Sequence, residues 1–204
     1  MNDFERTLRD AAATLPDGPG RGSTDRLVER ATAEGLLDVV YASVDSPLGP
    51  LLVAATPRGL ARVAYLESWS PDDVLEDLAA RVSPRVMDAP ERLDEQRREL
   101  DDYFTGRRKE FDLPIDWSVL RGFTRKVLRE TARINFGEVR TYADVAAGAG
   151  SPRAVRAAGN ALGANPMPIV VPCHRVIRTG GALGGYTGGL ERKEFLLRLE
   201  GSLL

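Results

Sequence analysis

Cys173 is the only cysteine in this chain of 204 residues, His174 is its only histidine, and the two are adjacent. A free thiol has a pKa of about 8.5, so only a few per cent is nucleophilic thiolate at neutral pH. An imidazole is the natural base to raise that fraction, directly or through a water. The pair lies in PMPIVVPCHRVI, Pro166 to Ile177. Ile169, Val170 and Val171 read as a buried strand that Pro172 breaks. In an extended strand neighbouring side chains point to opposite faces. His174 therefore serves Cys173 only if the backbone turns at Pro172 or a water bridges the two. Three readings follow from these residues: a structural cysteine beside a satisfied histidine, a thiol nucleophile with its base, and a Cys-His hydrolase. One cysteine forms no internal disulfide, and one cysteine with one histidine falls short of the usual tetrahedral zinc set. No metal and no cofactor are expected.

Composition sets the setting for that chemistry. Hydrophobic residues make up 43% and charged residues 28%, as in an ordinary globular protein. No apolar run approaches the ~20 residues that span a bilayer. The start, MNDFERTLRD, lacks the apolar core of a secretion signal. A lone thiol fits a reducing cytoplasm. The net charge of -2 is unevenly spread: residues 121–204 carry 13 Lys+Arg against 6 Asp+Glu, and residues 1–120 carry 15 against 24. The basic half is suited to a polyanion.

The elements that must position the pair are legible in part. Residues 2–14 and 24–35 read as short helices around the breaker-rich PDGPGRGS, forming an extension over 1–36. LLDVVYASV, LLVAATP and LARVAYL read as a three-stranded antiparallel meander, turning at DSPLGP and at Pro57–Gly59. Ser70 caps a helix over 70–82 with acids in its first turn. PERLDEQRRELDDYFTG is a further helix with Leu93, Leu100 and Phe104 as its apolar stripe. DLPIDWS is extended linker. A boundary near Asp116 divides an N-terminal domain, 37–116, from a C-terminal one, 117–204. The fold class is α/β in the α+β sense: a small antiparallel sheet with helices, then a mainly helical domain.

In the C-terminal domain FTRKVLRETARI is an amphipathic helix ending at Asn135-Phe136-Gly137. TYADVAAGAG is a short helix opened by Thr141. SPRAVRAAGNALGAN is another, with Ser151 as cap and Pro152 at its first position. The last two make a helix-turn-helix pattern. The second carries Arg153 and Arg156 early and small residues along its sides: Ala154, Ala157, Ala158, Gly159, Ala161 and Gly163. Such a helix suits close packing in a core or close approach to DNA.

PCHRV, preceded by GNALGANPMPIV and followed by GGALGGYTGGLERKEFLLRLEG, resembles the O6-alkylguanine-DNA alkyltransferases, the methylated-DNA–protein-cysteine methyltransferases. FGEVRTYADVA and the helix with Arg156 extend the likeness over 121–201, and SPLGPLLVA is similar to the family's ribonuclease-H-like N-terminal domain. The resemblance implies direct-reversal DNA repair. One alkyl group passes irreversibly from O6-alkylguanine, and from O4-methylthymine, to Cys173 after base flipping. It implies that His174 activates a water, that Glu200 holds His174, and that Asn165 orders the turn beneath the site. Arg156 is implied to fill the gap left by the flipped nucleotide, and Tyr142 to stand beside it. The DNA-facing set also takes Ser151, Arg153, Ala157 and Gly159. Val176, Tyr186, Thr187, Gly188 and Pro168 are implied to wall the base pocket. The implied partner is alkylated double-stranded DNA, contacted in the minor groove by a monomer, with no membrane involved.

Three departures from the family pattern stand out. Thr187 replaces a frequent serine, Asn135 replaces a frequent proline, and the zinc ligands some members carry in the N-terminal domain are missing. A sensor that flags adducts without repairing them would keep Arg156 and Tyr142 but would not need Cys173, His174 and Glu200 together.

Overall fold

Three Val-, Leu- and Ala-rich runs form the strands expected of them: β1 (Val39–Val44), β2 (Leu51–Thr56) and β3 (Gly59–Tyr65). The computed structural model describes residues 37–202. The expected helices at 2–14 and 24–35, and the extension they would form, lie outside the described residues. β1 pairs antiparallel with β2, and β2 with β3. A fourth strand, β4 (Val86–Asp88), joins β1 in parallel, so the order is β3-β2-β1-β4. The sheet is therefore mixed, not purely antiparallel. Three residues carry too little alternation to announce a strand; pairing with β1 is what makes one.

β2 is buried along nearly its whole length because both faces are covered. Leu52 and Ala54 pack with Val74 and Leu78 of α1 (Pro71–Arg81). Leu51 and Val53 face the main core, shared with the C-terminal half. Ser70 caps α1 as expected, accepting from Asp73 N at 3.1 Å, with Pro71 in the first turn. The stretch expected as one helix over 90–106 divides into a 3-10 turn, Pro90–Leu93, and α2 (Asp94–Phe104). Its buried face holds Leu100 and Tyr103, with Phe104 only partly covered.

The linker after Leu113 is tied down along its path. Leu60 N donates to Pro114 O at 2.8 Å and Asp116 N to Leu60 O at 2.9 Å. Gly59, at φ 125, permits this: a Cβ there would stand 2.2 Å from Pro114 O. Asp116 is buried and accepts from Thr56, Arg58 and Ser118.

Beyond it run α3 (Gly122–Thr131), β5 (Arg140–Thr141), α4 (Tyr142–Gly148) and α5 (Val155–Gly163). The chain ends in β6 (Val176–Ile177), parallel to β5, and α6 (Leu190–Leu199). α4 opens on a full capping box: Thr141 Oγ1 accepts from Asp144 N, and the Asp144 carboxylate accepts from Thr141 N. α5 begins at Val155, not at Pro152, and Ser151 is not its cap. Residues 151–154 close a turn instead, with Ala154 N donating to Ser151 O at 2.9 Å. The helix has no side-chain cap.

α5 packs into the core along one face, as one of its two readings expects, and leaves the other face exposed. Ala158, Ala161 and Leu162 are buried in the core with Val127 and Leu128 of α3. Arg156 and Ala157 face outward, exposed, and Gly159 is half-buried. Among the described residues no helix is long and apolar enough to cross a membrane.

Candidate active site

The run Ile169-Val170-Val171 is buried but is not a strand. Ile169 takes φ 77, a left-handed conformation costly for a β-branched residue. The segment doubles back there, and Val171 N donates to Met167 O at 2.8 Å. Asn165 braces the reversal: its Nδ2 donates to Val171 O at 2.8 Å, and its Oδ1 accepts from Met167 N at 3.0 Å. After Pro172 the chain enters a 3-10 turn, Cys173–Arg175. This is the turn the adjacent pair required if it was to cooperate.

Cys173 is 4% exposed and His174 wholly buried. Among the described residues the hydrogen bond to Sγ comes from Asn165 Nδ2, at 3.1 Å. Burial pushes the thiol up to about 11, against the Asn165 hydrogen bond and the charge of Lys193. The resting sulfur is a thiol, so adjacency to histidine does not make it a standing thiolate.

His174 Nε2 lies 2.9 Å from Glu200 Oε1. Glu200 is itself 5% exposed. Burial alone would raise its pKa, but hydrogen bonds from His174 and Arg175 and their charges bring it down to about 2. Glu200 is thus an anion, and the imidazole must present Nε2–H to it. Burial lowers the His174 pKa despite Glu200, so the ring is neutral at rest. Its lone pair is then on Nδ1, which is buried with no hydrogen-bond partner among the described residues. A neutral base with an open acceptor is the state a proton relay needs.

Glu200 takes more donors than the sequence pointed to. Arg175 grips both oxygens, Nε to Oε2 at 2.9 Å and Nη2 to Oε1 at 2.8 Å, while its Nη1 donates to Ile134 O at 2.5 Å. Tyr103 of α2 donates to Oε1 at 2.6 Å. Lys193 is also buried; its Nζ donates to Val176 O at 2.6 Å and to Leu183 O. Burial lowers its pKa to about 8, which leaves it charged at neutral pH beside the sulfur. Arg175, Tyr103 and Lys193 escaped the sequence reading. Arg175 adjoins the Cys-His pair, which was a usable signal; Tyr103 and Lys193 lie on amphipathic helices with nothing local to mark them.

A cleft of about 350 Å³ opens onto Cys173, lined by Tyr142, Gly159, Leu162, Gly163, Gly185, Tyr186 and Thr187. Tyr142 donates to Gly185 O at 3.4 Å, and a Cβ at Gly184 would stand 2.8 Å from the Tyr142 hydroxyl. Burial raises the Tyr142 pKa, so its phenol is a standing donor. Thr187 Oγ1 donates to Gly163 O at 2.8 Å, and Tyr186 shares a 2.8 Å hydrogen bond with Tyr65 of β3.

Three expected wall residues do not line this cleft. Pro168 lies on a second cavity of about 430 Å³ with Tyr65 and Trp69, because the turn at 166–171 carries it to the β3 side, where Val63 N donates to Pro166 O. Val176 is fully buried and offers its carbonyl to Lys193. Gly188 is buried against the Tyr65 and Tyr186 rings, where a Cβ would come within 2.6 Å of Tyr65. Arg153, Arg156 and Ala157 lie outside the cleft on the exposed side of the helix-turn-helix, and Ser151 is half-buried in the turn between its helices. Among the described residues no cluster of His, Cys, Asp and Glu suits a metal ion.

Two family profiles match the chain. The ribonuclease-like domain of 6-O-methylguanine DNA methyltransferase matches residues 39–117, and the DNA binding domain of the same family matches 122–202. A methylated-DNA–protein-cysteine methyltransferase of Methanosarcina acetivorans is 39% identical over 162 residues, 79% of this chain and 98% of its own length. The constitutive enzyme of that name from Bacillus subtilis is 39% identical over 163 residues, 78% of this chain and 94% of its own. Among solved structures, Mycobacterium tuberculosis OGT in complex with DNA superposes with a TM-score of 0.68 at 39% identity, covering 80% of this chain and 93% of its own. The O6-methylguanine-DNA methyltransferase of Pyrococcus kodakaraensis gives 0.60 at 25% identity, covering 80% and 99%. With both family profiles matched and 94–98% of the length of these two relatives spanned, this chain belongs to the 6-O-methylguanine DNA methyltransferases, the methylated-DNA–protein-cysteine methyltransferase family.

Proposed function

We propose that Cys173 is the acceptor in a single-turnover repair reaction on O6-alkylguanine in double-stranded DNA, and on O4-methylthymine. The observation that carries it is the neutral, Glu200-bound His174, next in sequence to a buried thiol that needs a base, whose Nδ1 is buried with no hydrogen-bond partner among the described residues. A water takes the thiol proton and passes one to His174 Nδ1. The thiolate attacks the alkyl carbon; the C–S bond forms as the C–O6 bond breaks, and the electron pair passes into the guanine ring. The Tyr142 hydroxyl hydrogen-bonds the leaving guanine as charge builds on its ring, and the guanine takes up the proton that His174 releases through water. The sum is one proton moved from sulfur to guanine and one alkyl group moved the other way. The thioether has no leaving group that water displaces, so the protein is spent.

An alkyl group on O6 is inaccessible within a stacked duplex, so the nucleotide must be flipped at a cost of a few kcal/mol. Arg156, exposed on the first turn of α5 and without a hydrogen bond or ion pair among the described residues, is the group we assign to the vacated space. Arg153, Ser151, Ala157 and Gly159 form the rest of the DNA-facing surface, set in the minor groove. The protein works as a monomer in the cytoplasm, with residues 117–204 as the acceptor domain and 37–116 as its support. A hydrolase would need the base on the thiol directly; the bond to Sγ comes from Asn165 instead.

Intact mass after incubation with an O6-methylguanine duplex tests the reading. One added methyl, mapped to Cys173, with no second turnover is the expected result. Unmodified protein and persisting lesion would overturn it. Cys173→Ala should lose transfer entirely while still binding the damaged duplex.

A further inference from the structure

Glu200 Oε1 carries an unusual load. It accepts from His174 Nε2 at 2.9 Å, from Arg175 Nη2 at 2.8 Å and from the Tyr103 hydroxyl at 2.6 Å. Oε2 accepts from Arg175 Nε and, at 3.4 Å, from Gly137 N. His174 and Arg175 come from the acceptor turn itself. Tyr103 comes from α2, in the other half of the chain.

Tyr103 is wholly buried in an aromatic cluster with Phe104, Phe111 and Phe136, at centroid distances of 5.5, 5.1 and 6.2 Å. Arg175 lies over the Phe136 ring at 5.9 Å. The ring is thus locked by packing, and the hydroxyl has one place to donate. A donor that shares an acceptor oxygen draws charge from it and weakens the other hydrogen bonds to it.

We propose that Tyr103 is a positioning residue of the acceptor chemistry: it fixes the Glu200 carboxylate and, by drawing charge from Oε1, limits how firmly that oxygen holds the His174 Nε2–H. The N-terminal half then contributes to the reaction, beyond supporting the fold. The groups facing the His174–Glu200 pair are Tyr103 from α2, Arg175 and Cys173 from the acceptor turn, Lys193 from α6, and the Tyr186 ring at 6.4 Å from the imidazole. Of these, only Tyr103 and Arg175 donate to Glu200 alongside His174, and Arg175 is a fixed cation.

The inference rests on the proposed repair reaction for its rate readout, so a second readout is taken that does not. His174 is the sole histidine, and one imidazole Nε2–H proton resonance reports its hydrogen bond to Glu200. In full-length Tyr103→Phe the ring and its packing stay and the donor goes. That resonance should move downfield as Oε1 recovers charge. Single-turnover methyl transfer from an O6-methylguanine duplex should fall about tenfold, the weight of one hydrogen bond to a charged group. Phe111→Leu loosens the same cluster and keeps the hydroxyl; it should lower the melting temperature and leave the resonance in place. Should Tyr103→Phe not fold, trifluorotyrosine at position 103 strengthens the donor and should move the resonance upfield. A resonance that stays put when the donor is removed or strengthened overturns the proposal, whatever happens to stability. A resonance that moves in a protein inert toward methylated DNA keeps the positioning role and rejects the repair reading.

Discussion

Glu200 is an anion in the interior, and its partners decide what it is worth. Its pKa of about 2 lies below the ordinary 4.5, so the unfolded chain takes up a proton first as pH falls. The stabilisation is complete above the unfolded pKa and disappears as pH drops through the folded one. A depression of that size corresponds to about 3 kcal/mol at neutral pH. His174 works in the same direction from higher pH: its folded pKa is depressed, so acid below its ordinary 6.5 charges the unfolded chain first. Urea midpoints measured from pH 7 down to pH 3 should fall in two stages, the lower one smaller in Glu200→Gln but not absent, because Asp38, Asp116 and Asp144 are also held below the usual carboxylate range. At pH 7 that variant leaves the Arg175 guanidinium buried without its counter-ion and should lose roughly 3–5 kcal/mol. A Glu200→Gln midpoint equal to the parent's would mean the carboxylate is idle.

At the scale of elements, the helix-turn-helix owes its order to one cap and not the other. Thr141 and Asp144 satisfy each other's backbone at the start of α4. Ser151, three residues upstream of the N-cap Ala154, reaches no α5 amide, and the turn it closes is made by its carbonyl. Thr141→Ala should therefore cost about 1 kcal/mol, whereas Ser151→Ala, which removes no cap, should cost less than half of that. Equal losses by thermal or urea unfolding would put Ser151 back in a capping role. α5 has two faces that do different work: Ala158, Ala161 and Leu162 bury against α3, and the opposite side leaves Arg156 free on a surface kept low by Ala157 and Gly159.

For the whole molecule, the governing features are a core that runs through both halves and a charge that does not. Leu51, Val53, Val63 and Tyr65 of the sheet share one apolar cluster with Val127, Val145, Met167 and Leu196. Tyr103 to Glu200 and Tyr65 to Tyr186 carry polar bonds across the same junction. With 13 basic against 6 acidic residues after position 120, the half that the DNA binding domain profile matches is the basic one. Binding to duplex should weaken with salt as phosphate contacts release counter-ions, and Arg156→Ala should lower the salt slope by no more than about one, since its proposed place is within the stack. That variant should slow methyl transfer from duplex more than from free O6-methylguanine. Equal slowing on both would remove Arg156 from the flipping step.

The sequence by itself determined the local things. Val-, Leu- and Ala-rich runs marked β1 to β3, Ser70 and Thr141 marked two helix starts, and the lone Cys173-His174 pair marked the candidate site, because strand propensity, cap and thiol reactivity each depend on near neighbours. Tertiary structure decided whatever rests on distant partners. β4 is a strand only against β1, and Ile169 turns back only because Asn165, four residues before it, holds both ends of the reversal. Pro168 was sent to the other cavity by that same reversal. The thiol is neutral because the fold buries it, burial likewise keeps His174 neutral, and its Nε2 is fixed because Glu200, 26 positions away, and Tyr103, 97 positions from Glu200, meet it at one oxygen. Burial and hydrogen-bond geometry set those protonation states, and neither has a signature in residue order.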